Sequence, residues 1–233
     1  PKTGKAGLSE ARDAIEINAD EIKNLIPEYK ALMDKRSPDP NARFLGGSYV
    51  HEESSMLGKA INARAMKMGL DIVLDGTANG GAGKQMRKLA EIKATPVTVN
   101  GVERKYQTRL VMVSVDTDTA VQRSFARAVT TGRLVPEPVL RAAHAGSVRS
   151  FTEMYGSAIT GEKYDRFEGW YTGTTPPTKF MEGGAKLRVL NTDQYLNFTR
   201  KAGEPVGSTK VGFDAAQAAG IDEGVITRVA GIS

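Results

Sequence analysis

The 233-residue sequence contains no cysteine. Disulfide scaffolds, zinc–thiolate sites and thiol nucleophiles are therefore excluded. It has only two histidines, His51 and His144. That is too few for a histidine-built metal centre, and no metal-ligating residue set is expected. No apolar run approaches the roughly 20 residues that a membrane helix needs, and no secretory leader is legible. No membrane contact is expected, and a cytoplasmic location is the default. Repeats and low-complexity tracts are absent too. What remains is 40% apolar and 25% charged, the composition of a globular chain long enough to bury a core. It opens on Pro1 rather than Met, as a piece of a longer product would.

Acid and lysine are scarce in one place. Residues 121–150 hold five arginines (Arg123, Arg127, Arg133, Arg141, Arg149), no lysine and a single acid, Glu137. The net charge of the whole chain is only +5, so this stretch carries most of the excess. Arginine without lysine suits planar, multidentate contact with phosphate or carboxylate. On charge alone, a solvated helix face is the plainer reading. Residues 84–109 mix both signs and read as ordinary surface.

A β-then-α rhythm runs along the first two-thirds. Residues 14–18 (AIEIN), 70–74 (LDIVL) and 109–115 (RLVMVSV) read as strands. Residues 20–33 read as helical, broken at Pro27. Residues 35–47, with two prolines and Gly46-Gly47, read as a loop. Residues 51–68 read as a helix with an apolar stripe of Met56, Leu57, Ala60, Ile61, Ala65 and Met68, stopped by Gly69. Further helices are expected over 85–93, over 119–129 with Asp116 or Asp118 as cap, and from Pro136 or Pro138 to about 149. Such alternation implies an α/β fold whose parallel sheet is covered on both faces, with ligands at the carboxyl ends of the strands. Asn18 and Asp20, Asp75 and Thr77, and Asp116 and Asp118 stand at those ends. Beyond Phe151 the rhythm fades. Residues 161–184 read as an irregular excursion, 186–190 as a late strand, and 213–219 as an Ala-rich segment without a clear place.

Two glycine-rich stretches invite a phosphate reading. Gly4 and Lys5 fit the last glycine and the lysine of G-x-x-x-x-G-K-[ST], whose amides and lysine cradle phosphates. Ala6 stands where the Mg²⁺-binding hydroxyl belongs, and the first glycine would fall before Pro1. The competing reading is a basic terminus without a role. Residues 76–84 (GTANGGAGK) fail the spacing and suit either a phosphate loop or a plain strand-to-helix connection.

The order of several segments resembles the zeta-toxin family of P-loop kinases. The matching residues are Ile17-Asn18-Ala19-Asp20-Glu21-Ile22-Lys23, Val50-His51-Glu52-Glu53-Ser54, Gly69 through Asp75-Gly76-Thr77, and Gly132-Arg133-Leu134-Val135-Pro136. The resemblance covers about residues 1–151. It implies a P-loop kinase-like three-layer α/β sandwich with a mostly parallel sheet, completed by 152–233 as the remainder of the core and an irregular C-terminal extension. It implies transfer of the γ-phosphoryl group of ATP or GTP, with Mg²⁺, to a hydroxyl of a sugar nucleotide such as UDP-N-acetylglucosamine. It also implies an antitoxin partner. By the same resemblance Asp20 takes the acceptor's proton, and Arg123 and Arg133 stabilise the transferring phosphoryl group. Gly4, Lys5, Ala6 and Arg127 fall at the nucleotide, and Asp75, Thr77, His51, Glu52 and Glu53 at the acceptor. The arginine stretch would form a lid over the nucleotide.

Each residue has a plainer role as well. Asp20 suits a helix cap, and Asp75 a turn. Arg127 lies one turn after Arg123, so either fits the catalytic role. Arg141 and Arg149 suit a surface or structural role, and His144 a helix surface. Trp170 and its tyrosine neighbour either pack the late region or stack on a base. Two other functions compete with the sugar-nucleotide kinase: a kinase acting on nucleotides, polynucleotide ends or modified bases, which the basic charge permits, and an inactive P-loop module that binds within a larger assembly, which Ala6 and the unexplained last third permit.

Overall fold

The Ile-rich run near the start forms β1 (Ile15–Ile17), which pairs in parallel with β2 (Ile72–Leu74). Ile15 lies opposite Ile72 and Ile17 opposite Leu74. The computed structural model describes residues 13–34, 42–156 and 163–232. Between the two strands run α1 (Ala19–Lys23), α2 (Pro27–Met33), α3 (Ala42–Tyr49) and α4 (His51–Lys67). Pro27 opens α2, where its missing N–H is no loss, so the expected break falls at that proline. Gly69, at φ +66°, lies just past the end of α4, the left-handed position that glycine takes most cheaply.

One expectation fails in this region. The loop read at 35–47 is helical from Ala42 onward, because Gly46 faces α2. A side chain there would meet Leu32 Cβ at 3.3 Å, so the glycine serves close helix packing rather than a turn. The apolar stripe of α4 meets the core only at Ala65. Met56, Leu57, Ile61 and Met68 are exposed, while Ser54, Gly58 and Ala65 are buried. A β-carbon on Gly58 would lie 3.5 Å from Ile22 Cδ1 and 3.6 Å from Ile17 Cγ2. Small residues let α4 lie directly on α1 and β1, and larger ones are displaced outward.

After β2 come α5 (Ala82–Ala94) and a hairpin of β3 (Pro96–Val99) and β4 (Val102–Lys105). Asn100 and Gly101, both at positive φ, form its two-residue turn. Next are β5 (Arg109–Ser114), α6 (Thr117–Thr131) and α7 (Glu137–Gly156). β6 (Arg166–Tyr171) then pairs in parallel with β5, and β7 (Thr178–Gly183) and β8 (Leu187–Val189) add on antiparallel, in the order β5-β6-β7-β8. The chain continues through α8 (Thr192–Arg200), a 3₁₀ turn (Lys201–Gly203), α9 (Lys210–Ala218) and α10 (Glu223–Ile232).

The fold is mixed α/β. Parallel pairing holds for β1–β2 and β5–β6, and the described strands form separate hydrogen-bonded sets rather than one mostly parallel sheet. The excursion expected at 161–184 is largely β6 and β7. Gly169 misled the reading. It sits at a register shift, and a side chain there would collide with Met181 and Phe180 at 2.6–2.7 Å. The glycine is demanded by packing between strands, not by a loop. The late strand at 186–190 is β8, and the Ala-rich segment is α9.

Two larger cores hold most of these elements, and Ile26, Tyr29 and Val50, with Met33, form a smaller one. Met112, Val148, Phe151, Phe167, Phe180, Met181 and Phe198 cluster between the four-stranded sheet, α7 and α8. Phe44, Leu45, Val121, Phe125, Ala128, Leu134 and residues of α9 and α10 form the other larger core. The second core ties the C-terminal helices to α3 and α6, so the last third is packed into the fold.

Candidate functional site

Because β1 and β2 run parallel and in register, their carboxyl ends lie side by side. The Asp75 amide donates to Ile17 O at 3.0 Å. Asn18, at extended φ/ψ, caps α1: its Oδ1 accepts from the Asp20 amide at 2.9 Å and the Glu21 amide at 3.4 Å. Its Nδ2 donates to Asp75 Oδ2 at 2.8 Å. One side chain thus holds the backbone of Asp20 and the carboxylate of Asp75 together.

Cations converge on Asp20. Lys23 Nζ donates to Asp20 Oδ1 at 3.0 Å. Its side chain is 8% exposed, against 46% for Asp20. Arg133 Nη1 lies 3.5 Å from Asp20 Oδ2, and Nη2 lies 4.0 Å from Glu21 Oε1. Gly132 makes this approach feasible. It ends α6 at φ +67°, and a side chain would meet Met33 Cε at 2.5 Å and Arg43 O at 3.1 Å. Only glycine fits that turn, and the next residue is thereby aimed at α1. Arg127, on the last turns of α6, adds its positive field to Asp20.

Burial alone would raise the Asp20 pKa. The hydrogen bond and charge of Lys23, then the charges of Arg133 and Arg127, outweigh it and hold the carboxyl below its usual range. Asp20 is therefore an anion at neutral pH.

The other expected residues are placed as follows. Thr77 Oγ1 donates to Asn79 Oδ1 at 2.8 Å, and Thr77 O accepts from Ser147 Oγ of α7. His51, Glu52 and Glu53 form the exposed first turn of α4. Arg123 turns away from α1 and donates to Thr172 O, at the end of β6, at 3.4 Å. Gly4, Lys5 and Ala6 lie outside the described residues. Of the five arginines in 121–150, Arg127 and Arg133 serve Asp20. Arg141 is buried against Glu137 and Asp118, and Arg149 donates to Ala202 O at 2.9 Å. Sequence reading missed Lys23 as part of this cluster. Its signal was the i, i+3 spacing from Asp20 on a short helix.

Arg133 Nε is buried with no partner among the described residues, an unused donor next to an exchangeable ion pair. That donor set fits the oxygens of a phosphate, which could take the arginines over from Asp20. No group of three or more His, Asp and Glu side chains among the described residues could hold a metal ion. Mg²⁺ bound through one or two carboxylates and substrate phosphates needs no such group.

A mixed α/β protein with a carboxylate at a strand end, faced by one arginine on a helix and one just past its end, has parts that a phosphoryl-transfer site needs. The family model described as Zeta toxin matches residues 3–160, about two-thirds of the chain, and the chain belongs to that family. The family is kinase-like, which supports nucleotide binding and phosphotransferase activity in general, and its members are associated with antitoxin partners. Comparisons with curated proteins and with solved structures returned no match. No described helix is long and apolar enough to cross a membrane.

Proposed function

We propose that this chain is a kinase that transfers the γ-phosphoryl group of ATP or GTP to a hydroxyl of a sugar nucleotide of the UDP-N-acetylglucosamine type. One observation carries the reading: Asp20 and Arg133, 113 positions apart in sequence, meet as an ion pair at the end of β1, and the charge of Arg127 acts on the same carboxylate. Asp20 orients the acceptor hydroxyl and takes its proton. Arg133 and Arg127 face the transferring group, whose transition state spreads negative charge over its outer oxygens. ATP·Mg²⁺, when bound, supplies the phosphoryl group and part of the charge neutralisation.

The resting ion pair gives the cleft a sequence of events. Phosphate oxygens compete for Arg133 and Arg127. As the arginines turn to the phosphate, Asp20 loses two of the charges that depress its pKa and becomes a better base. Lys23, hydrogen-bonded from the opposite side, keeps the carboxylate in position. Asp75, held by Asn18 at the end of the neighbouring strand, and Thr77 just beyond it are assigned to the acceptor, as is the exposed turn of His51, Glu52 and Glu53. Arg123 is assigned to the outer part of the nucleotide site, and Gly4, Lys5 and Ala6 to its phosphates. Residues 1–151 carry this machinery, and 152–233 complete the core.

The test is direct. With γ-labelled ATP and UDP-N-acetylglucosamine, label should pass to the sugar nucleotide, and Asp20→Asn should slow the transfer by about 10²- to 10⁴-fold. Label transfer that Asp20→Asn leaves intact would remove the base assignment. Absence of transfer to any sugar nucleotide, with transfer to polynucleotide ends instead, would replace the acceptor.

A further inference from the structure

The foot of α6 is held more tightly than a helix start requires. Asp116 precedes the helix and was expected to cap it, yet its side chain makes no capping bond. The carboxylate turns to the C-terminal third of the chain instead. Oδ2 accepts from the Tyr171 hydroxyl of β6, and Oδ1 accepts from Asn197 Nδ2 of α8 at 2.5 Å. Directly before it, Ser114 Oγ and Val115 O both accept from Lys201 Nζ, at 2.6 and 2.5 Å. Lys201 is 3% exposed. Three consecutive residues at the end of β5 are thus each gripped by a side chain from beyond residue 163. Arg123 of α6 adds a contact to Thr172 O, the residue next to Tyr171.

α6 is a lever between this foot and the cleft. Fifteen residues at about 1.5 Å each span roughly 22 Å, so a tilt of about 3° at the foot moves the far end by about 1 Å. Arg127 and Arg133 lie at that far end. A misplacement of this size costs a preorganised site up to about 10²-fold in rate.

We infer that Tyr171, Asn197 and Lys201 are positioning residues, acting through Asp116 and the end of β5 to aim Arg127 of α6, and Arg133 just beyond it, at Asp20. The inference rests on the kinase reading of the cleft, and it assigns the last third of the chain a part in the reaction without contact to substrate. The groups facing Lys201 are Asp116 at the start of α6, Arg200 and Glu204 on its own segment, and His144 of α7. Burial, with Arg200, lowers the Lys201 pKa to about 8 against the pull of Asp116 and Glu204. Deprotonation removes the cation beside Asp116, so turnover falls on the alkaline side. Stability does not fall with it. The folded-state pKa lies below the ordinary value of 10.5, so the unfolded chain binds more protons between about pH 8 and 10.5 and stability rises there.

The experiment measures kcat and KM for ATP and acceptor, together with backbone amide exchange over 125–134, in Tyr171→Phe, Asn197→Leu and Lys201→Met. Tyr171→Phe removes a single hydroxyl and keeps its ring, so it reports even if the others fold poorly. The expected result is a fall in kcat of about tenfold with KM within about twofold, and faster exchange at the far end of α6. Lys201→Met should also lose the alkaline limb near pH 8. Wild-type kcat and exchange in Tyr171→Phe would overturn the inference, as would a raised KM with unchanged kcat. If the wild-type protein transfers no phosphate, the kinase reading falls, and the exchange arm alone decides the coupling. Faster exchange at 125–134 would uphold it, and unchanged exchange would end it.

Discussion

Charged side chains do opposite work in two regions of this molecule. At the ends of β1 and β2, Arg133 pairs with Asp20 and Glu21 across 3.5–4.0 Å, one carboxylate half-exposed and the other exposed. Such pairs contribute about 0–1 kcal/mol to stability and are readily exchanged for another anion. In the back half, Glu168 is buried and satisfied by Arg109, Arg166, Lys179 and the Trp170 indole. Glu137 is buried too, and accepts from Arg141 Nε, the Thr209 amide and the Thr209 hydroxyl. A β-carbon on Gly212 would strike its carboxylate, so α9 closes over this network. Those two carboxylates are held by burial and by several partners each. The difference teaches that site and scaffold use the same residue types and are separated by burial and exchangeability.

The comparison can be broken in several places. Arg133→Ala should leave the unfolding free energy within about 1 kcal/mol and lower phosphoryl transfer by about 10³-fold or more. Steady-state kinetics and urea unfolding on one preparation check both halves, and a large stability loss with modest kinetic change would place Arg133 with the scaffold. Glu137→Ala should do the reverse. It leaves Arg141 with Asp118 alone as its carboxylate partner and takes the acceptor from the Thr209 amide, and should cost about 1–3 kcal/mol by chemical denaturation, with catalytic constants changed little in the fraction that stays folded.

A smaller effect sharpens the boundary. His144 lies 3.5 Å from Thr117 Oγ1. Burial, with the charges of Lys201 and Arg141, lowers its pKa to about 4 from 6.5. It is neutral in the folded state, and the stability that it contributes is present above pH 6.5 and lost as pH falls toward 4. Melting curves of His144→Asn should be flatter than wild type across that window. Equal slopes would mean that His144 is not held in its neutral form.

Much of the frame was legible in the sequence. The β-branched runs at 14–18, 70–74, 109–115 and 186–190 are all strands, and Pro27 and Gly69 punctuate as expected. Local signals sufficed because each element is short and bounded by its own breakers. What escaped depended on partners distant in sequence. Gly46, Gly58 and Gly169 resemble loop or breaker residues, yet each marks a close approach that only the neighbouring element explains. Asp116 had the chemistry of a cap and was taken by Tyr171 and Asn197 instead. The cleft was half legible. Asp20 and Asp75 follow from the strand ends, while the return of Arg133 onto α1 depends on the turn at Gly132 and the packing of Met33. Family resemblance, and not periodicity, singled that arginine out.

The most direct test of the shared cleft is a double-mutant cycle on phosphoryl transfer with Asp20→Asn, Arg133→Ala and the pair. If the two act on one transition state, the double variant should be about as slow as the slower single variant, because groups that work as a unit lose their effect together. Effects that multiply in full, or single variants that transfer at the wild-type rate, would contradict the account.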